Sequence, residues 1–313
     1  MAMEMTPIDR RLVPAGATIT TWTAPDGWPL RTLEWPQPAG VKPRGSLIFA
    51  GGRGDFIEKY LEPLGHWHAR GWNVASLDWR GQGGSRGDIQ GGHLDSFDPL
   101  VADFAALADH WRAKHPGPHV AIAHSMGGHL LLRVLAEHRP AFAAAVLVAP
   151  MIRINARPVP HRLGRRMATV LARIGLGRRP AWRENERPHL PGANRQAYLT
   201  SCADRYADEL WWKLSQPGYA LGPPTWGWLD AAYRSIDGLT LESMAGAALP
   251  ILILGTEQDR LVSPNAIRRA AQALPKAELI MYPAAAHELL RESDAVRLDA
   301  LAAIDAFLDN HAR

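Results

Sequence analysis

Ser125 stands between two apolar runs, Val120-Ala121-Ile122-Ala123-His124 before it and Met126-Gly127-Gly128-His129-Leu130-Leu131-Leu132 after it. The first run is bounded by Pro116-Gly117-Pro118 and reads as a buried strand, whereas Leu130, Leu131, Val134 and Leu135 then recur at helical spacing. Ser125 is therefore expected on a strand-to-helix turn. A serine there takes a strained backbone, tolerated only where its neighbours lack bulk, and the strain lifts its hydroxyl clear of the sheet edge. The helix N-terminus points free N–H groups at whatever the hydroxyl attacks, so negative charge developing on a carbonyl oxygen meets donors already in place. A hydroxyl is still a poor nucleophile until a base takes its proton and a third group holds that base in one tautomer. The competing reading is a serine that merely caps the helix.

The segment Ala123-His124-Ser125-Met126-Gly127-Gly128 resembles the nucleophile elbow of the α/β-hydrolase fold. Within that fold it is similar to the bacterial lysophospholipase and monoacylglycerol lipase branch, whose elbow is usually Gly-His-Ser-Met-Gly-Gly; here Ala123 replaces the first glycine. Two further stretches carry the same resemblance. Asp78-Trp79-Arg80-Gly81-Gln82-Gly83-Gly84-Ser85 looks like the branch's Asp-x-Arg-Gly-His-Gly-x-Ser loop, and Gly222 to Trp228 looks like a Gly-Pro-Thr-x-x-Trp segment of its cap. The resemblance implies the chain order serine, acid, histidine. Asp259, in Gly255-Thr256-Glu257-Gln258-Asp259, and His287, in Pro283-Ala284-Ala285-Ala286-His287, both lie just past expected strand ends in that order. Glu257 is the competing acid, and the resemblance favours Asp259. A surface aspartate in a loop and a helix-capping histidine are the alternatives. For the oxyanion, the residue after the nucleophile, Met126, supplies one backbone N–H by geometry. Aligned through Gly52-Arg53-Gly54-Asp55 and Tyr60, the resemblance implies Arg53 as the second donor. The branch's His-Gly-x-Gly has Gly51 in place of its histidine here, which leaves Gly52 as the other candidate.

These residues need elements to carry them. Thr18–Thr23 and Leu30–Trp35 alternate around Pro25-Asp26-Gly27 as a hairpin. Strands follow at Gly45–Ala50, Trp72–Leu77, Val120–Ala123, Ala144–Ala149, Pro250–Gly255 and Ala277–Tyr282. Helices are expected at about 57–70, 97–115, after the elbow, at about 265–273 and at 294–310. Strand-helix alternation implies a mostly parallel central sheet flanked by helices. From Met151 to Ala247 the alternation stops in favour of helical periodicity rich in Arg, Pro and Trp. Residues 1–150 and 248–313 thus form an α/β core, with 151–247 inserted as a helical cap. Leaving from one strand end and returning at the next, it would cover a site beyond the carboxyl ends of the strands.

The 313 residues suit one large domain with such an insertion, and the single Cys202 excludes an internal disulfide framework. The opening Met1–Pro7 has no apolar core of signal length and no later run approaches a membrane span, so a cytoplasmic location is expected. The net charge of +4 is localised, much of it between Arg153 and Arg187, which speaks against nucleic acid as partner. Those arginines would suit a phosphate or an anionic inner-membrane surface, giving a transient peripheral contact. Trp211, Trp212, Trp226 and Trp228 would suit an acyl chain; the alternative is that they pack the cap. Neither Gly51-Gly52-Arg53-Gly54 nor the Asp78–Ser85 loop completes G-x-G-x-x-G, and no Gly-Lys-Ser/Thr is present, so nucleotide binding is the weaker class. A catalytically dead protein on the same fold is the other alternative, opposed by the complete Ser, Asp and His set. His66, His68, His93 and His110 show no ligand spacing, and neither metal nor cofactor is expected. The expected activity is carboxylic-ester hydrolysis through a covalent acyl-enzyme on a monoacylated lipid, with a small soluble ester as the alternative. Oligomeric state is not legible.

Overall fold

The computed structural model describes residues 8–89, 91–156, 158–182 and 195–312. Met1–Pro7, and Arg157, Arg183 and Arg187 of the arginine-rich stretch, lie outside them. One eight-stranded sheet runs through the chain, in the order β1 (Thr18–Thr23), β2 (Pro29–Trp35), β4 (Trp72–Leu77), β3 (Gly45–Ala50), β5 (His119–His124), β6 (Ala144–Val148), β7 (Ile251–Thr256) and β8 (Ala277–Tyr282). The hairpin β1–β2 joins β4 antiparallel, and every other neighbour is parallel. Parallel strands covered on both faces should be continuously apolar, and β3, β6 and β7 are buried at every position. The edge strand β8 alternates buried and exposed instead.

Alternation along β3 divides the core. Leu47 and Phe49 join Trp67 and Ile304 on one face, under α1 (Leu61–His68) and α10 (Asp294–His311). Ile48 and Ala50 join Phe104, Leu130 and Ile267 on the other, under α2 (Asp98–Lys114), α3 (Met126–Glu137) and α9 (Pro264–Ala273). The single helix expected over 57–70 is a 3₁₀ turn, Ile57–Tyr60, running into α1. Pro63 is the reason, since it has no N–H to give the Lys59 carbonyl and its ring would crowd that carbonyl in an α-helix.

Between β6 and β7 the described residues form α4 (His161–Leu171), α5 (Arg195–Leu199), α6 (Ala203–Ser215), α7 (Trp226–Gly238) and α8 (Leu241–Ala245), with only isolated bridges of β type. α4 packs on α7, whereas α8 packs against both α3 and α9. Thr225 caps α7 by accepting the Trp228 N–H at 3.1 Å, and its hydroxyl meets His93 Nδ1 at 2.8 Å. The Pro-Thr-Trp stretch thereby fastens this segment to the loop after β4.

Candidate active site

Ser125 sits between β5 and α3 with φ 54° and ψ −116°, a conformation few non-glycine residues take. Its backbone is pinned by donation to the Val148 carbonyl at 2.9 Å, so the neighbouring strand helps hold the strain. The flanking glycines are needed because a Cβ on Gly127 would stand 2.4 Å from the Gly51 carbonyl oxygen. Ala123 is not among the positive-φ residues, so its methyl is tolerated where the family usually has glycine.

Asp259 follows β7 and His287 follows β8, which brings both beside the elbow. Asp259 Oδ1 accepts from the N–H groups of Leu261 and Val262 at 2.8 and 2.9 Å, while Oδ2 accepts from His287 Nδ1 at 2.6 Å. His287 Nε2 lies 2.8 Å from Ser125 Oγ. An ionised carboxylate can only accept, so Nδ1 carries the proton and Nε2 is left to receive the one on Ser125. Burial by itself would push the Asp259 carboxyl up, but the His287 ring and the two backbone donors outweigh it and hold it below its ordinary value. Burial likewise opposes the His287 imidazolium, yet the Asp259 charge and hydrogen bond hold it above the ordinary histidine value. Glu257 points elsewhere, pairing with Arg268. The segment between β6 and β7 braces both loops. Asn155 Nδ2 donates to the Asp259 carbonyl at 2.8 Å, and the Tyr198 and Leu199 carbonyls accept from the backbones of His287 and Glu288.

At the first position of α3, the Met126 N–H has no acceptor within its own helix. Opposite it, Gly52 approaches so closely that a Cβ there would stand 2.9 Å from Ser125 Cβ. The Gly52 N–H, the alternative oxyanion donor, is spent on Asp55 Oδ2 at 2.5 Å. Arg53 follows in the same loop; its guanidinium donates to the Gly91 and Gly222 carbonyls and lies 5.0 Å from the Trp228 ring centroid. Trp228 is buried against Phe97, and Leu221 lies against Gly54. The other three tryptophans go elsewhere. Trp226 packs on the core beside the Arg179 carbonyl, Trp212 donates to the Arg10 carbonyl at 2.8 Å, and Trp211 lies edge-on to Trp212 under Arg11.

Sequence reasoning missed a buried ionic cluster behind the oxyanion loop, formed by Asp55, Lys59, Glu209, Lys213, Glu288 and Arg291. Spacing of four in Asp55/Lys59 and Glu209/Lys213 and of three in Glu288/Arg291 was its only signal, and on an exposed helix such spacing is commonplace. His124, beside the nucleophile, belongs to this cluster, with Nδ1 2.9 Å from the Tyr60 hydroxyl and 3.1 Å from Asp55 Oδ2. A separate cleft of about 540 Å³ flanks the acid and histidine loops. Gln196, Thr200, Gln258, Arg260 and Ala286 line it. Arg260 is exposed and stacks 5.3 Å from the Tyr198 ring centroid.

The family described as serine aminopeptidase, S33, matches residues 41–294. Lysophospholipase L2 of Escherichia coli K12 is 31% identical over 291 residues, spanning 85% of this chain and 80% of that protein. Probable lysophospholipase L2 of Haemophilus influenzae is 29% identical over 275 residues, spanning 85% and 84%. Among solved structures, a soluble variant of the Saccharomyces cerevisiae monoglyceride lipase superposes with a TM-score of 0.75 over 97% of this chain and 99% of that one, at 17% identity. That likeness shows the fold, an α/β-hydrolase.

Proposed function

Because the chain belongs to the serine aminopeptidase S33 family of α/β-hydrolases and is an ester-hydrolysing enzyme, we propose that Ser125, His287 and Asp259 carry out that hydrolysis on a monoacylated lipid. The observation that carries this reading is the unbroken line from Ser125 Oγ through His287 to Asp259, at 2.8 and 2.6 Å. Ser125 attacks the ester carbonyl as His287 Nε2 takes its proton. The tetrahedral oxyanion is met by the N–H groups of Met126 and Arg53. His287 then returns the proton to the departing alcohol oxygen, leaving an acyl group on Ser125. Water, activated by the same His287, releases the acid and restores the serine.

Residues 151–247 act as a cap over this site. Leu221 and Trp228 lie buried beside the oxyanion loop, Trp228 between Phe97 and the Arg53 guanidinium, and Trp228 is the one of the four tryptophans placed near the site, bounding the acyl chain as part of its wall. In the flanking cleft, whose Glu292 carboxylate is taken up by Ser201 and the Ala286 N–H, the exposed Arg260 is the group that would pair with a phosphate-bearing head group, which favours a lysophospholipid over a monoacylglycerol. Leu163, Met167 and Val170 of α4 and Ile174 of the π-helical turn Ala172–Leu176 that continues it stand exposed, among the exposed Arg162, Arg166 and Arg173. That surface suits brief contact with an anionic bilayer. The reading is tested by kcat/KM on a lysophosphatidyl ester, a monoacylglycerol of equal chain length and p-nitrophenyl acetate. The lysophospholipid is expected to lead, with Arg260→Gln lowering its kcat/KM alone. A clear preference for acetate would put the small soluble ester ahead.

A further inference from the structure

Asp55 follows the oxyanion loop, and four donors converge on its carboxylate. Oδ2 accepts from the Gly52 N–H at 2.5 Å and the Tyr60 hydroxyl at 2.9 Å and lies 3.1 Å from His124 Nδ1, while Oδ1 accepts from Lys59 Nζ at 2.6 Å. Gly52 is also the residue where an added Cβ would stand 2.9 Å from Ser125 Cβ, so the carboxylate fixes the Gly51–Gly52 peptide beside the nucleophile, one residue ahead of the Arg53 N–H. From Lys59 the ion pairs run outward, to Glu288 beside His287 at 2.6 Å and to Glu209 of α6 at 3.0 Å. Arg291 closes the ring through Glu209 at 2.8 Å and through Glu288, and Lys213 meets Glu209 at 2.8 Å. Three carboxylates thus face three cations, none more than 8% exposed.

Such a cluster is a poor device for stability, since removing charges from water offsets most of their attraction, and well-packed apolar residues often do as well. It is a good device for direction, because each bond fixes an atom. The cluster is also the route by which the inserted helix α6 touches the loop under the nucleophile. We propose that Asp55 is a positioning residue for the oxyanion loop, and that Lys59 and Glu209 tie its position to the seating of α6.

The inference rests on the serine-hydrolase reading, so Ser125→Ala is run alongside: full turnover there removes that reading whatever Asp55 does. Steady-state kinetics on p-nitrophenyl acetate, too short to depend on acyl-chain contacts, are compared in four further variants. Asp55→Asn keeps the shape and loses the charge. Its kcat is expected to fall about 10- to 100-fold with KM within about threefold, because an oxyanion donor out of place costs the transition state rather than the ground state. Affinity for a trifluoromethyl ketone, whose adduct carries an oxyanion, should fall by the same factor. Glu209→Gln and Tyr60→Phe are expected to shift kcat in the same direction, about 3- to 10-fold. Asp208→Asn loosens α6 from Arg10 and Arg11 without touching the cluster, and should lower the melting temperature with kcat unchanged. Near-normal kcat in folded Asp55→Asn overturns the proposal, as does a loss in Asp208→Asn equal to that in Glu209→Gln. If Asp55→Asn does not fold, near-normal kcat in both Tyr60→Phe and Glu209→Gln overturns it.

Discussion

The outer face of α4 gives a prediction whose size follows from exposure. Leu163, Met167 and Val170, spaced to share one side of α4, and Ile174 of the turn that continues it are 49, 43, 56 and 64% exposed. Fully burying such a side chain contributes about 1.5–3 kcal/mol, so moving the exposed half of Leu163 and two-thirds of Ile174 into a bilayer is worth about 2–3 kcal/mol together. The double variant Leu163→Ser/Ile174→Ser should therefore partition about 30- to 150-fold more weakly onto vesicles. Exposed Arg162, Arg166 and Arg173, with no carboxylate partner among the described residues, should add about 1 kcal/mol each, and only where the lipid is anionic. Sedimentation with phosphatidylglycerol–phosphatidylcholine vesicles measures both parts. The apolar double variant should lose binding at every salt concentration, whereas replacing the three arginines by Gln should abolish the difference between anionic and zwitterionic vesicles. Turnover of p-nitrophenyl acetate in solution should not change in either. Wild-type binding retained by the double variant, or no wild-type binding to anionic vesicles, would refute the reasoning.

Asp259→Asn should lower kcat by up to roughly 10⁴-fold, less than loss of Ser125, and should move the acid limb of kcat/KM to lower pH. The sign follows from His287, which must be neutral to accept a proton and which the Asp259 charge holds protonated to higher pH. Gly52→Ala should cost more than about tenfold in kcat, since its methyl would stand 2.9 Å from Ser125 Cβ and 3.1 Å from Asp55 Oδ2. Stability should fall on the acid side for a defined reason. Burial opposes the Asp55 and Glu209 carboxylates, but for each the surrounding cations prevail and hold it well below its ordinary value. Their contribution is fully present above about pH 4–5, where the unfolded carboxylates ionise, and is lost as pH falls through the folded values. Urea midpoints from pH 7 to 3 should show a decline that is shallower in Glu209→Gln.

The fold was legible because its central strands are so apolar. Gly45–Ala50 and Trp72–Leu77 have the bounds read from composition, since buried strands end where glycine or a charged residue follows, here Gly51 and Asp78. Pro63 was visible in the sequence, but apolar periodicity continued through it and masked the 3₁₀ turn that precedes α1. At the site, the serine turn and the two strand ends carry local signals, and the structure brings all three within hydrogen-bonding distance. Asp55, Lys59 and Glu209 carry only a spacing of four, and such a pair looks the same whether it meets water or another helix. The tryptophans divide for a similar reason: Trp211 and Trp212 meet the N-terminal Arg10 and Arg11, a pairing about 200 residues apart that no window of sequence reveals.

The central claim is that Ser125 becomes acylated during turnover. Rapid acid quench after mixing with an excess of a long-chain p-nitrophenyl ester, followed by peptide mass spectrometry, tests it directly. The peptide holding Ser125 should carry the acyl mass, with a burst of p-nitrophenol approaching one per enzyme wherever deacylation limits the rate, and Ser125→Ala should show neither acyl mass nor turnover. An acyl group on a different residue, or unimpaired hydrolysis by Ser125→Ala, would contradict it.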